Sequence, residues 1–306
     1  MQTLRKLLVM IEPEADVQLA LGKALKLARP AGADLELMIC DHNSYLDDGF
    51  YFDPPRAAEL RREHVEKNLA LLEEMAAVIR EQGLSVQVDA RWGNPPYEQI
   101  IDKVLDSKPD LVVQSTRHHE KIARLLLSHQ DWQLLRYCPC PLLLVKDRDW
   151  PERPTILVSV DPTHTNDKPA DLDDRLTDAG ATLAALVGGE VHLYHSSHQP
   201  PVSGLYPVSV DPAVYEEKCS GLLARHDLSR DRLHIKDEDI QTSLPALADQ
   251  MDVAMVVMGA LSRSRLDRLF VGNTAEKLLD RLHQDVLVIK PAGTTDRVKK
   301  ARQANL

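Results

Sequence analysis

Aromatic residues are scarce in this chain: Phe, Trp and Tyr make up 4% of its 306 residues. Its cores must therefore be built from aliphatic side chains. Four cysteines, Cys40, Cys138, Cys140 and Cys219, occur without a Cys-x-x-Cys pair. Cys138-Pro139-Cys140 leaves one residue between two sulfurs, an awkward span for a disulfide or for tetrahedral zinc. The cysteines read as small apolar residues, and no metal site is expected. No apolar run approaches the about 18 residues of a membrane span. Met1 to Val9 lacks the apolar stretch and cleavage site of a secretory signal. A cytoplasmic, reduced protein is the expectation.

Positive charge is also lacking, with 37 Lys and Arg against 47 Asp and Glu and a formal net charge of -10. Nucleic-acid and membrane-surface partners need a basic face, so neither is expected. A small anion is still allowed, since a few backbone donors can hold one phosphate group. The chain has neither the Gly-x-x-x-x-Gly-Lys-Ser/Thr loop nor Gly-x-Gly-x-x-Gly. The phosphate-loop NTPase and dinucleotide dehydrogenase readings thereby lose their usual support. Ser, His and Asp occur without a spacing that carries a nucleophile–base mechanism, so no catalytic residue is assigned.

What the chain does have is hydrophobic material, 43% of its residues, laid out twice. Leu7-Leu8-Val9-Met10-Ile11-Glu12-Pro13 is matched by Ile156-Leu157-Val158-Ser159-Val160-Asp161-Pro162. Val112-Val113 is matched by Val256-Val257, and Leu142-Leu143-Leu144-Val145-Lys146 by Val286-Leu287-Val288-Ile289-Lys290. From Val112 to Lys146 the offset between copies is a constant 144 residues. A fixed offset over several elements marks an internal duplication. The charged, proline-containing stretch Asp147–Pro154 reads as the linker. It separates a first domain at 1–147 from a second at 154–293, with a polar tail at 294–306.

Each copy alternates short apolar runs with helix-period segments. Strands are expected near 5–11, 34–40, 85–91, 110–115 and 141–146, with helices near 16–29, 56–82, 96–106 and 122–136. The second copy repeats the strands near 154–160, 190–195, 232–236, 253–258 and 285–290. Alternation of this kind implies right-handed crossovers and a five-stranded, mostly parallel sheet covered on both faces, a doubly wound α/β domain.

In such a sheet ligands bind beyond the carboxyl ends of the strands. In the second copy those ends are Val160-Asp161, Ser196 and Met258-Gly259. Gly259 allows a close backbone approach, and Gly272-Asn273-Thr274 sets backbone N–H groups and two polar side chains at a helix start, where an anion is favoured. An ordinary capped helix after a loop is the competing reading. Arg263, Arg265 and Arg268 lie between the glycine segments and would screen phosphate charge.

Gly259-x2-Ser262-x9-Gly272-Asn273 resembles the Gly-x2-Gly-x9-Gly-Ser/Thr pattern of the universal stress protein family, where it holds the phosphates and ribose of ATP or AMP. Val160-Asp161-Pro162 resembles that family's adenine-contacting segment. Cys138-Pro139-Cys140-Pro141 with the strand that follows resembles its last strand. The tandem layout is similar to the family's two-domain E-type members. The resemblance implies strand order 3-2-1-4-5 in each domain. It also implies halves paired through their last strands as an intramolecular pseudo-dimer, with homodimers a further option. The implied ligand is ATP or AMP, with Mg accompanying ATP. The implied contacts are Val160, Asp161, Ser196, Met258, Gly259, Ser262, Arg263, Gly272, Asn273 and Thr274. Slow ATP hydrolysis is the activity such a site allows, rather than efficient catalysis.

Departures from the pattern are informative. Ser262 stands where the family has glycine, and Asn273 where it has Ser or Thr. In the first copy every glycine is gone: Ser115, His118, Ser128 and His129 occupy the positions of Gly259, Ser262, Gly272 and Asn273, and Glu12 that of Asp161. That copy is expected to have lost the nucleotide site.

Other features point elsewhere. His192, His195 and His198 cluster in sequence, but 192 and 195 fall on opposite faces of a strand. His118, His119 and His129 read as a solvated loop. Residues 43–55 contain Tyr45, Phe50, Tyr51 and Phe52, and so apolar a loop is expected to cover something. That loop keeps open a module for a bulkier, partly apolar metabolite, and a ligand-free interaction protein is the third reading.

Overall fold

A computed structural model describes residues 3–46, 52–116, 127–162, 169, 171–198, 211–260, 273–291, 293–296 and 298, with the side chains of Pro212, Asn273 and Thr274 outside the description. The chain divides into two compact units. One consists of Thr3–Ser115 and Ser128–Val145, and the other contains the chain from Lys146 onward.

The N-terminal unit runs β1 (Lys6–Met10), α1 (Leu19–Ala31), β2 (Asp34–Asp41), α2 (Pro54–Glu81), β3 (Val86–Trp92), α3 (Pro96–Ser107), β4 (Leu111–Ser115), α4 (His129–Tyr137) and β5 (Leu142–Val145). Its strands pair in parallel in the order β3-β2-β1-β4-β5. The apolar runs become strands because helices cover both faces of the sheet. Leu7, Leu8, Val9, Leu37, Val112, Val113 and Leu143 are all fully buried, each contributing about 1.5–3 kcal/mol of transfer free energy. α1 stops at Gly32, whose φ of 61° lets its N–H reach back to Ala28 and Arg29 carbonyls, a left-handed cap that costs glycine nothing.

α4 starts later than the apolar pattern implies. Ser128 and Asp131 form a reciprocal capping box: the Asp131 N–H donates to Ser128 Oγ at 3.1 Å, and the Ser128 N–H donates to Asp131 Oδ2 at 2.8 Å. Leu127 and Ser128 are therefore outside this helix, and residues 122–126 of the expected one lie outside the described residues.

The C-terminal unit runs β6 (Thr155–Ser159), α5 (Leu172–Leu186), β7 (Glu190–Ser196), α6 (Pro212–Arg225), β8 (Leu233–Lys236), α7 (Ile240–Gln250), β9 (Met255–Gly259), α8 (Asn273–Leu279) and β10 (Asp285–Ile289). Parallel pairing in the order β8-β7-β6-β9-β10 repeats the topology of the first unit. Both strand orders match the expected 3-2-1-4-5. Asp211 and Asp239 cap α6 and α7 by accepting from the N–H groups of Ala213 and Gln241. Among the described residues, no helix is long and apolar enough to cross a membrane.

Candidate functional site

The order of each sheet reverses between its first and fourth strands, the place where crossover helices leave by opposite faces and open a crevice. In the C-terminal unit that place lies between β6 and β9. The register sets Val158 beside Val257, so the strand ends Val160-Asp161 and Met258-Gly259 neighbour each other, with Ser196 beyond them at the end of β7. Five of the ten candidate residues thus collect at one sheet edge. Ser262, Arg263 and Gly272 lie outside the described residues, as do Arg265 and Arg268. Asn273 and Thr274 open α8 in the backbone.

The end of β6 is held by buried polar side chains. The Val160 N–H continues the ladder to Tyr194 O at 2.9 Å. The Val160 carbonyl accepts from His195 Nδ1 at 3.0 Å, and the Asp161 N–H donates to Asp173 Oδ1 at 3.1 Å. His195 is 1% exposed and Asp173 6%. The Asp161 carboxylate lies 3.9 Å from His195 Nδ1, with its side chain 37% exposed. Tyr215 of α6 closes over the imidazole at a ring separation of 5.3 Å. Ser196 Oγ donates to Glu238 O at 2.8 Å.

A Cβ at Gly259 would sit 3.1 Å from Leu172 Cδ2, so the absent side chain also admits the first residue of α5.

In the N-terminal unit, the residues at the corresponding positions are tied to one another. Ser115 Oγ donates to Glu12 Oε1 at 2.8 Å. Gln114 Nε2 donates to Asp131 Oδ1 at 2.5 Å, and Ser128 Oγ donates to Asp131 Oδ2 at 2.8 Å. Burial pushes the Asp131 carboxyl above its ordinary value, although the hydrogen bonds from Ser128 and Gln114 pull the other way. Ser115, which replaces a pattern glycine, is thus bonded to Glu12, and Ser128, which replaces another, to Asp131.

The remaining sequence candidates separate. His192 and His195 do lie apart: His192 stacks on His234 with Nδ1···Nε2 at 2.9 Å and receives Arg232, while His195 faces Val160 and Tyr215. His118 and His119 lie outside the described residues. Cys138 and Cys140 are buried thiols, with Cys140 Sγ donating to Pro109 O at 3.0 Å. The aromatic loop does not cover the unit at its described positions. Tyr45 is 62% and Phe52 39% exposed, and the Asn43 side chain accepts the Tyr45 N–H at 3.0 Å. Phe50 and Tyr51 are outside the described residues.

Sequence reasoning missed two features at the sheet edges. One is Asp173, which lies twelve residues beyond Asp161 with no local motif to link them. The other is a cluster at the ends of β2 and β3, where Trp92 lies 5.5 Å from both His42 and His64, and His64 Nε2 meets Asp41 Oδ2 at 3.0 Å. Its one sequence signal was the polar Asp41-His42 pair closing an apolar strand.

Comparison with known proteins agrees with this architecture. The model of the universal stress protein family matches residues 3–146 and again 153–290. Universal stress protein E of Photorhabdus laumondii is 29% identical over 314 residues, covering 99% of this chain and all of that protein. Universal stress protein E of Escherichia coli K12 is 29% identical over 297 residues, 94% of each. A solved structure from Pseudomonas aeruginosa, described as that of a universal stress protein, superposes with a TM-score of 0.79 at 27% identity over 99% of both chains. With a family match in each half and relatives of the same two-domain length, the chain belongs to the universal stress protein family as a tandem, E-type member.

Proposed function

We propose that this stress-response family member binds an adenine nucleotide, ATP or AMP, in its C-terminal unit alone. The observation that carries the reading is the contrast between the two sheet edges. In the N-terminal unit, Ser115 bonds Glu12, and Gln114 and Ser128 both bond Asp131. In the C-terminal unit, the half-exposed Asp161 carboxylate stands beside Gly259 at the strand reversal. A carboxylate is an acceptor and suits an exocyclic amino group. Asp161, with Val160 and Ser196, would hold the base. Met258, Gly259, Ser262, Arg263, Gly272, Asn273 and Thr274 would hold sugar and phosphates, with Mg accompanying ATP. Binding rather than rapid hydrolysis is the proposed activity, and the cytoplasm its proposed location.

Calorimetry of the full chain with AMP and with ATP plus Mg tests this. Saturable binding is expected, and a Gly272→Arg variant is expected to lose it by filling the phosphate position. No heat at millimolar nucleotide with the fold intact would sink the reading. The exposed Tyr45 and Phe52 favour a second reading, a bulkier and partly apolar metabolite at the N-terminal unit. Native mass spectrometry of freshly purified protein separates the two by the mass of any retained ligand.

A further inference from the structure

The peptide joining Val160 to Asp161 has both polar atoms engaged by buried side chains. Its carbonyl accepts from His195 Nδ1 at 3.0 Å, and its N–H donates to Asp173 Oδ1 at 3.1 Å. A carbonyl carries no proton, so His195 Nδ1 must be the protonated nitrogen. The clamp comes from two directions. His195 belongs to β7, in the sheet, while Asp173 belongs to the first turn of α5, in the covering layer. Tyr215, 6% exposed, packs on the imidazole from α6.

The duplication supplies a control for what this clamp is for. The registers Val9↔Leu37 and Val158↔Leu193 align the two edges, so Ile39 of the N-terminal unit stands where His195 stands in the C-terminal unit. Ile39 is 1% exposed and cannot donate. The N–H of Glu12, counterpart of Asp161, is taken by the neutral amide of Gln18 at 3.1 Å. The same fold therefore forms with an apolar residue and an uncharged cap at these positions. Burying an imidazole and a carboxylate is unfavourable compared with that solution. The costlier arrangement occurs in the copy that keeps Gly259 and Gly272.

We propose that His195 and Asp173 are positioning residues for the ligand of the C-terminal unit, fixing the Val160–Asp161 peptide so that the Asp161 carboxylate is a preset hydrogen-bond acceptor. This rests on the nucleotide reading given above and deepens it. With the main-chain donor and acceptor committed internally, discrimination at this edge falls to an acceptor-only side chain. A ligand edge bearing an amino group is matched, and one bearing an oxo group meets lone pairs with lone pairs.

AMP and IMP differ at that edge, amino in one and oxo in the other, so their affinity ratio reads the position of the carboxylate. For the full-length protein, calorimetry is expected to show AMP preferred. His195→Ile, which copies the N-terminal unit, and Asp173→Ala are each expected to weaken AMP by about tenfold and to bring the AMP/IMP ratio toward one. Amide hydrogen exchange at Asp161 in the ligand-free protein should accelerate in both variants while Val158 stays protected. His195→Asn, which can place an amide N–H where Nδ1 sits, should retain the ratio, and His195→Gln should not. Should His195→Ile fail to fold, the Asn and Gln pair decides. If wild type binds AMP and the variants keep both affinity and ratio, the positioning role is overturned while the nucleotide site stands. If wild type binds neither nucleotide, the site reading fails and the positioning role falls with it.

Discussion

Lys146 offers a sharp test of how burial sets the energetics of the C-terminal unit. The side chain is 2% exposed. Its ammonium donates to the carbonyl of Leu279, at 3.2 Å, and to that of Leu282, at the end of α8. A cation there satisfies carbonyls that a helix end leaves without partners. Burial nevertheless pushes the amine down from 10.5 to about 8, although Asp285 and Asp280 pull it up. The folded value is depressed, so between about pH 8 and about 10.5 the unfolded chain holds more protons, and stability rises with pH in that window. A gap of about 2.5 pH units corresponds to about 3 kcal/mol, of which about 2 kcal/mol is realised by about pH 9.5. Cys40 acts in the opposite sense, since burial pushes its thiol up to about 12, removing about 1 kcal/mol by the same pH. The difference between wild type and Lys146→Met cancels Cys40. Urea unfolding of both proteins from about pH 7 to about pH 9.5 should show wild type gaining about 2 kcal/mol on the variant. NMR titration of labelled lysine Cε resonances gives the amine's value directly. Parallel stability curves, or a Lys146 resonance titrating near 10.5, would refute the reasoning.

Further perturbations follow from the packing. Glu36 is 2% exposed and bonded to Lys103 at 2.5 Å and Lys6 at 2.9 Å. Glu36→Gln removes the shared carboxylate, although Lys103 keeps Asp89 at 2.8 Å and Lys6 stays partly exposed, and should cost about 1–2 kcal/mol by urea unfolding at neutral pH. Burial would raise this carboxyl, but the hydrogen bonds from Lys103, Lys6 and Ser107 outweigh it and hold it below 4.5. Its stabilisation is therefore complete above pH 4.5 and fades as pH falls through the lower folded value, which acid titration of wild type against Glu36→Gln reads. Gly180→Ala should destabilise by about 2 kcal/mol in thermal melts, since a Cβ there lies 2.6 Å from stiff, buried Val158 Cγ2. Gly259→Ala should cost about 1 kcal/mol or less, because the flexible tip of Leu172 can yield. Ser128→Ala removes the α4 cap and should cost about 1 kcal/mol in the same melts, with Asp131→Ala non-additive to it because the two residues share one capping box.

Strands were legible wherever burial on both faces wrote an unbroken apolar run, as at Leu7–Ile11, Leu142–Val145 and Val286–Ile289. The duplication was legible because the fixed offset made each copy a check on the other, and the strand order because of the family resemblance. The start of α4 was hidden because a capping box is two polar residues inside an otherwise helical rhythm. The exposed Tyr45 was hidden for a related reason. Composition says an aromatic gains by burial, but it cannot register a local Asx contact such as that of Asn43 with the Tyr45 N–H. At the site, the strand ends could be named because a parallel sheet dictates where they go. Asp173 could not be named, since its partner is a backbone N–H on another element and leaves no trace in spacing. His195 was visible only as one of three nearby histidines. Its meaning came from the register, which sets it against Ile39.

The two edges show how one duplicated fold carries different polar groups at corresponding strand ends. A glycine-lined strand end exposes backbone groups that a ligand or water must satisfy. In the N-terminal copy Ser115 and Glu12 stand at these positions and bond each other through their side chains at 2.8 Å. Ser128 and Asp131 add a helix cap where the other copy has Gly272 and Ala275. Each of these bonds is locally stabilising by about 1 kcal/mol. Selection for stability alone would therefore drive both edges the same way. That the C-terminal edge keeps a half-exposed carboxylate clamped by a buried imidazole and a buried aspartate argues that something other than stability holds it there.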